Sequence, residues 1–181
     1  MGGAAYGFAA AVVNVRTDTA GRTLPVSETP SPDTLRLYGD VFFLALRSPR
    51  HAGHSLAALR PAFEPPLILG QVRVFRFDDV PRGFFTWAWL SPEAERKLVT
   101  GGQLSPEDWR SGDRLWIVDL VAPYRGLTKG IVRWIMEPGN FAEREFHFRR
   151  VSDGNRTRRI VRIDFSQPDD KATILTEADF V

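Results

Sequence analysis

Apolar residues along the chain fall into runs whose period changes from segment to segment. Leu35, Tyr38, Phe42 and Leu46 recur at near-helical spacing, and Val41 and Leu44 widen the same face. A helix is therefore predicted from Ser31 to about Ser48. Ser31 can cap it, Pro32 suits the first turn, Asp33 favours the positive end of the helix dipole, and Pro49 restricts the residue before it. A short helical piece around Leu56 to Leu59 is expected to break at Pro61, and Glu64-Pro65-Pro66 reads as a rigid connection. From Leu67 to Phe77 the pattern alternates, with Val72, Val74, Phe75 and Phe77 set against Arg73 and Arg76. This predicts a strand, followed by a turn over Asp78 to Gly83 and a partner strand from Phe84 to Leu90.

Ser91-Pro92-Glu93 repeats the helix-start signature, so a helix should run to about Val99, and Ser105-Pro106 opens a further helical turn. Leu115 to Val121 is apolar except for Asp119, as expected of a central strand covered on both faces. Leu127 to Met136 has the pattern of a helix lying on a sheet. Glu143 to Val151 and Arg158 to Phe165 flank Asp153-Gly154-Asn155 as a second hairpin. Residues 1–30 carry polar turn-forming clusters, with Val12, Val13 and Val15 as a candidate short strand, and read as an appendage to one domain over 31–181. The order helix, hairpin, helix, central strand, helix, hairpin predicts a mixed α/β layer fold around one sheet.

Composition narrows the chemistry. A chain of 181 residues with thirteen Phe and five Trp can build one hydrophobic core. It contains no cysteine, which excludes disulfides, thiolate catalysis and sulfur-ligated zinc. A net charge of only +2 gives no reason to expect nucleic-acid binding. No run approaches the roughly twenty apolar residues of a membrane span, so stable membrane insertion is not expected. No basic start precedes the apolar N-terminal stretch, so a cytoplasmic protein is expected rather than a secreted one.

Asp119 is the most informative single residue. A carboxylate in an apolar strand must face a cation, a histidine or backbone donors. A structural ion pair with Arg114 or another arginine and a functional role are equally open on spacing alone. His51 lies in a short loop behind Pro49 and can exchange a proton near neutral pH, although a loop histidine is usually solvated or a cap. His51 and His54 are three apart, but no matching carboxylate pattern adjoins them and no metal site is expected. The segment Arg125-Gly126-Leu127-Thr128-Lys129-Gly130 opens a helix and can be read either as an anion-receiving N-terminus or as an ordinary loop. Trp87 and Trp89 share one strand face as packing residues, and the arginines around 149–159 form a basic hairpin tip.

Three blocks together resemble the RTX toxin-activating lysine acyltransferase family, the hemolysin-activating type. They are Ser48-Pro49-Arg50-His51, Trp87-Ala88-Trp89-Leu90-Ser91, and the specific run Asp108-Trp109-Arg110-Ser111-Gly112-Asp113-Arg114-Leu115-Trp116-Ile117-Val118-Asp119 with Ala122-Pro123. The resemblance spans roughly residues 36 to 165. It implies a GNAT-like acyltransferase fold and transfer of a fatty acyl chain from acyl carrier protein to internal lysines of an RTX-type protoxin. No further cofactor is implied, and a homodimer is. By motif the family's essential histidine falls on His51 and its essential aspartate on Asp119, and Ser48 matches a family position beside the histidine. His51 would then be general base on the lysine with Asp119 orienting it, or would itself carry the acyl group.

The chain departs from the family where Gly126 follows Arg125 rather than the aromatic residue, and Thr128 breaks the R-x-x-G-x-G pattern of coenzyme A users. That favours a carrier-protein donor over acetyl-coenzyme A. The other alternative is a non-catalytic relative that binds toxin or carrier. Because acyl carrier protein is acidic, Arg47, Arg50, Arg73, Arg125, Lys129 and Arg133 are expected to dock it, with Ser48, Arg50, Arg125 and Lys129 at the substrate site.

Overall fold

The computed structural model describes residues 17–25, 28–152, 155–167 and 169–180. The candidate strand over Val12 to Val15 lies outside them. Helix α1 is Pro32–Ala45, with the Ser31 hydroxyl accepting from the Thr34 amide as its cap. Helix α2 runs over Leu56–Ile68, straight through the prolines predicted to break it. Pro61, Pro65 and Pro66 remove three interior donors at about 3 kcal/mol each in an isolated helix. Burial of Leu59, Phe63 and Leu67 against α1 holds the segment helical nevertheless. The first strand accordingly starts later than its alternation predicts. Strand β1 is Val72–Phe77, and β2 is Val80–Leu90.

The β1–β2 turn is only Asp78 and Asp79, both at positive φ (49° and 62°), the two-residue form whose twist suits a hairpin. Pro81 is therefore inside β2, beyond the point where the next strand joins at Phe84, so its missing N–H breaks no ladder on that side. Helix α3 is Pro92–Val99, followed by a 3₁₀ turn over Pro106–Trp109. Strand β3 is Arg114–Val121, helix α4 is Leu127–Ile135, and β4 (Glu145–Val151) and β5 (Thr157–Asp164) form the second hairpin. A short strand β6, Ala172–Leu175, has no forecast in the sequence pattern.

Among the described residues the strands form one six-stranded sheet in sequence order, antiparallel except for the β3–β4 pair. This is a single mixed α/β domain, compatible with the GNAT-like fold. One face carries α4 over Phe85, Leu115, Ile117 and Phe146. The other carries α3 over Ala88, Leu90 and Trp116, and α1 with α2 over Phe84 and Val121.

Two irregularities in the ladders decide which side chains reach the α1–α2 face and where the sheet opens. In the first, β2 and β3 slip by one residue: Thr86 pairs with Asp119 but Trp87 with Ile117, so Val118 is the extra residue of a β-bulge. Before the bulge the odd-numbered Leu115 and Ile117 face α4, whereas after it Leu120 faces α4 and Val121 faces α1 and α2. Asp119 is thereby turned to the α1–α2 face. In the second, the parallel β3–β4 ladder holds only at Trp116–His147 and Ile117–Phe148. Beyond these pairs β3 stays with β2 as far as Val121 and β4 stays with β5 as far as Val151, so the two strands part.

Buried ion pairs tie helices to strands. Glu95 of α3, 1% exposed, accepts from Trp116 Nε1 at 2.9 Å and pairs with Arg114. Asp40 of α1 accepts from Arg76 Nε of β1 at 2.8 Å. Approach to β3 is set by Ser111 and Gly112, whose amides donate to the Trp89 carbonyl at 2.9 and 3.1 Å. A Cβ on Gly112 would meet backbone atoms of Leu90 and Ser91 at 2.5 to 2.7 Å. Gly112→Ala is thus expected to cost about 1–3 kcal/mol, seen as a fall of several degrees in Tm. An unchanged melting curve would show that the crossing can relax.

Candidate active site

Chain chemistry builds one half of the site locally. After α1 the backbone closes a turn in which the Ser48 carbonyl accepts from the amides of His51 and Ala52, both at 2.9 Å. Pro49, second in this turn, has the φ that such a turn requires. The turn brings the Ser48 hydroxyl within 2.9 Å of His51 Nδ1. The imidazole packs on Phe63 of α2 at 5.5 Å between ring centroids, and Phe63 is held edge-on by Phe84 and Phe42. His51 is therefore buried, at 7% exposure, on a rigid aromatic support.

The other half comes from the bulged strand. Asp119 Oδ2 lies 2.9 Å from His51 Nε2, and its Oδ1 is paired with Arg50. Two of the partners that a carboxylate in an apolar strand requires are present at once: a histidine and an arginine share it. The arginine is Arg50, since Arg114 is committed to Glu95. An ionised carboxylate only accepts hydrogen bonds, so Nε2 carries the imidazole proton and donates to Asp119. Nδ1 then holds the lone pair and accepts from the Ser48 hydroxyl. A continuous donor chain, Ser48 to His51 to Asp119, results.

Burial, assisted by the Arg50 charge and more weakly by His54, pushes the His51 pKa down from 6.5 to about 4. The imidazole is therefore neutral at pH 7, with Nδ1 free to take a proton. Thr86, opposite Asp119 in the ladder and 1% exposed, has an Oγ1 without a hydrogen-bond partner. No sequence signal singled it out.

Ser48, Arg50, His51 and Asp119 thus come together, and Arg125 and Lys129 do not join them. Arg125 lines an open cleft of about 390 Å³ with Phe77, Arg82, Tyr124, Gly126 and Leu127 at the start of α4. Lys129 is exposed in the first turn of the same helix, whose buried residues pack on the opposite face of the sheet from His51. Gly126 caps α4 in the left-handed region at φ 84°, a conformation glycine adopts freely. The expected docking arginines are likewise divided. Arg47 lies over the Phe43 ring beside the site, while Arg73 stacks on Trp134 at 4.2 Å on the α4 face. Trp87 and Trp89 share that face and line a groove of about 250 Å³ with Phe85, Trp134 and Phe141.

His54 is exposed, and among the described residues no cluster of three His, Asp or Glu is placed to hold a metal ion. No helix among them is long and apolar enough to cross a membrane.

Known proteins match part of this chain. A leukotoxin-activating lysine-acyltransferase of a Pasteurella haemolytica-like species is 38% identical over 89 residues, covering 49% of this chain and 54% of its own length. A protein-lysine palmitoyltransferase of Bordetella bronchiseptica is 32% identical over 106 residues, 56% of this chain and 57% of its own. The chain thus spans little more than half the length of these two relatives. An RTX-III toxin-activating lysine-acyltransferase of Actinobacillus pleuropneumoniae matches more of the chain, 75%, at 28% identity. The model of the RTX toxin acyltransferase family matches residues 31–164, which takes in both halves of the site, and the chain belongs to that family.

Proposed function

We propose that this protein moves a fatty acyl group from acyl carrier protein to lysine ε-amino groups of an RTX-type protoxin. The observation that carries this reading is the hydrogen-bonded chain from Ser48 through His51 to Asp119, on an imidazole kept neutral in an enclosed site. The family membership and the relatives named as lysine acyltransferases support the acceptor and the reaction class.

A lysine ammonium, with a reference pKa near 10.4, first loses one proton to solvent to become nucleophilic. The amine then attacks the thioester carbonyl, forming a C–N bond. The second amine proton passes to Ser48 Oγ as the Ser48 proton moves to His51 Nδ1. Asp119 and Nε2–H stabilise the imidazolium that forms. Collapse of the tetrahedral adduct breaks the C–S bond, and the proton returns from His51 to the leaving sulfur, giving an amide and a free thiol. An acyl group on His51 itself requires a ring nitrogen to leave its internal partner first, since both are hydrogen-bonded. That favours the general-base route.

Three outcomes are expected when a protoxin and acyl-loaded carrier protein are incubated with each variant and acylated lysine is quantified by peptide mass spectrometry. His51→Ala lowers the rate by about 10²–10⁴-fold, the span of general-base contributions. Asp119→Asn, which keeps the shape and removes the charge, falls at least about 10²-fold. Ser48→Ala costs about tenfold, the worth of one hydrogen bond of roughly 1.4 kcal/mol, mainly in kcat. Acylation by wild type that survives both His51→Ala and Asp119→Asn would overturn the site. Binding of carrier or toxin without any transfer would instead indicate an adaptor.

The acid limb of kcat/KM gives an independent check. Lysine protonation alone lowers kcat/KM about tenfold per pH unit below about 10. Because the His51 pKa is depressed, the base stays unprotonated below pH 6.5, and the further break that it adds should come only as pH approaches about 4. Arg50→Gln removes a positive neighbour that lowers His51 and leaves Asp119 unopposed, so the midpoint should move upward. A midpoint at 6.5 or above in wild type would contradict this electrostatic account.

A further inference from the structure

Arg149 stands outside the Ser48–His51–Asp119 chain. On β4, Phe146 and Phe148 face α4, so His147 and Arg149 face the other way, onto the side of the sheet that carries His51 and Asp119. His147 confirms the direction by stacking on Trp116 at 5.0 Å. The Arg149 guanidinium is held by neutral acceptors of its own hairpin. Nη1 donates to the Asn155 carbonyl at 3.2 Å and to Thr157 Oγ1 at 3.3 Å, and Nη2 donates to Asn155 Oδ1 at 2.9 Å. Nε is buried without a partner.

Among the described residues no carboxylate forms an ion pair with Arg149. Glu177, on the C-terminal 3₁₀ turn, acts on it only through its more distant charge. Burial and the nearby charge of Arg50 push its pKa down to about 10. Arg50 in turn shares the one carboxylate of the site, Asp119, with His51, and half its side chain remains exposed. Two guanidiniums therefore flank the parting of β3 and β4, and the ion-paired carboxylate there, Asp119, is held by Arg50 and not by Arg149. A cation held out of water without a counter-ion is costly unless a ligand supplies the charge. The fixed fork of arginine matches a phosphate in particular.

We propose that Arg149, with the outward side of Arg50, binds the phosphate through which a pantetheine arm is attached to its carrier. This rests on the acyl-thioester donor of the proposed function and adds the residues that read it. Acyl carrier protein and coenzyme A both present that phosphate, so the subsite recognises what they share.

The test uses non-transferable thioether analogues of acyl-pantetheine, with and without the 4′-phosphate, titrated by calorimetry into wild type, Arg149→Gln and Arg149→Lys. In wild type the phosphate should tighten binding at least about tenfold, as charge-assisted hydrogen bonds do. Arg149→Gln should erase that gain and leave the affinity for the phosphate-free analogue unchanged, and Arg149→Lys should keep part of it. Equal affinity of wild type for both analogues overturns the subsite. So does a gain that survives Arg149→Gln, or an equal loss for both analogues, which would mark Arg149 as a clasp for its hairpin. The titration needs no turnover, so absent lysine acylation alongside a phosphate-dependent gain would count against the proposed function alone. With acylated carrier protein and acyl-coenzyme A as donors, a rise in KM confined to one of them in Arg149→Gln identifies the source of the phosphate. A loss in kcat alone with both overturns the assignment.

Discussion

A carboxylate turned inward from a central strand loses most of its hydration, and it stays charged only if other groups replace the lost water. Asp119 is in that position, and much of the molecule is arranged around its compensation. The turn after α1 delivers both Arg50 and His51 to it. Helix α2, despite its prolines, supplies the Phe63 ring that keeps the imidazole from swinging away. Each charge restrains the others. Burial, assisted by Arg50, keeps the histidine neutral, and the carboxylate fixes which ring nitrogen bears the proton.

Parts of this arrangement were legible in the sequence because they are local. Spacing placed His51 in a short loop behind Pro49, and the resemblance of Ser48-Pro49-Arg50-His51 to a family motif singled it out together with Ser48. The turn that joins hydroxyl and imidazole is seen in the structure. An isolated aspartate in Leu115 to Val121 likewise announced a partner, though not which one. The helix starts at Ser31, Ser91 and Ser105 were readable for the same reason, since a cap and a following proline are neighbours in the chain.

What could not be read depends on contacts distant in the chain. Helix α2 survives Pro61, Pro65 and Pro66 because Phe63 and Leu67 are buried against α1, a fact absent from its local propensity. The edge strand β6 exists because β5 offers it a ladder. Arg149 reads as one arginine among several in a basic hairpin, and only the strand's facing direction separates it from exposed Arg150. The residues expected to dock an acidic carrier, Arg47, Arg50, Arg73, Arg125, Lys129 and Arg133, are divided between the two faces of the sheet. Adjacency in charge is not adjacency in space.

The bulge at Val118 makes the pairing of His51 with Asp119 a matter of parity. A regular strand assigns odd and even positions to opposite sides, and by that count Asp119 belongs with Leu115 and Ile117, under α4 and away from His51. One surplus residue reverses the assignment for everything after it. The composition of the strand is almost irrelevant to this outcome, whereas its length is decisive. Grafting the histidine and aspartate onto an unkinked sheet would reproduce every side chain and put them on opposite sides of a wall.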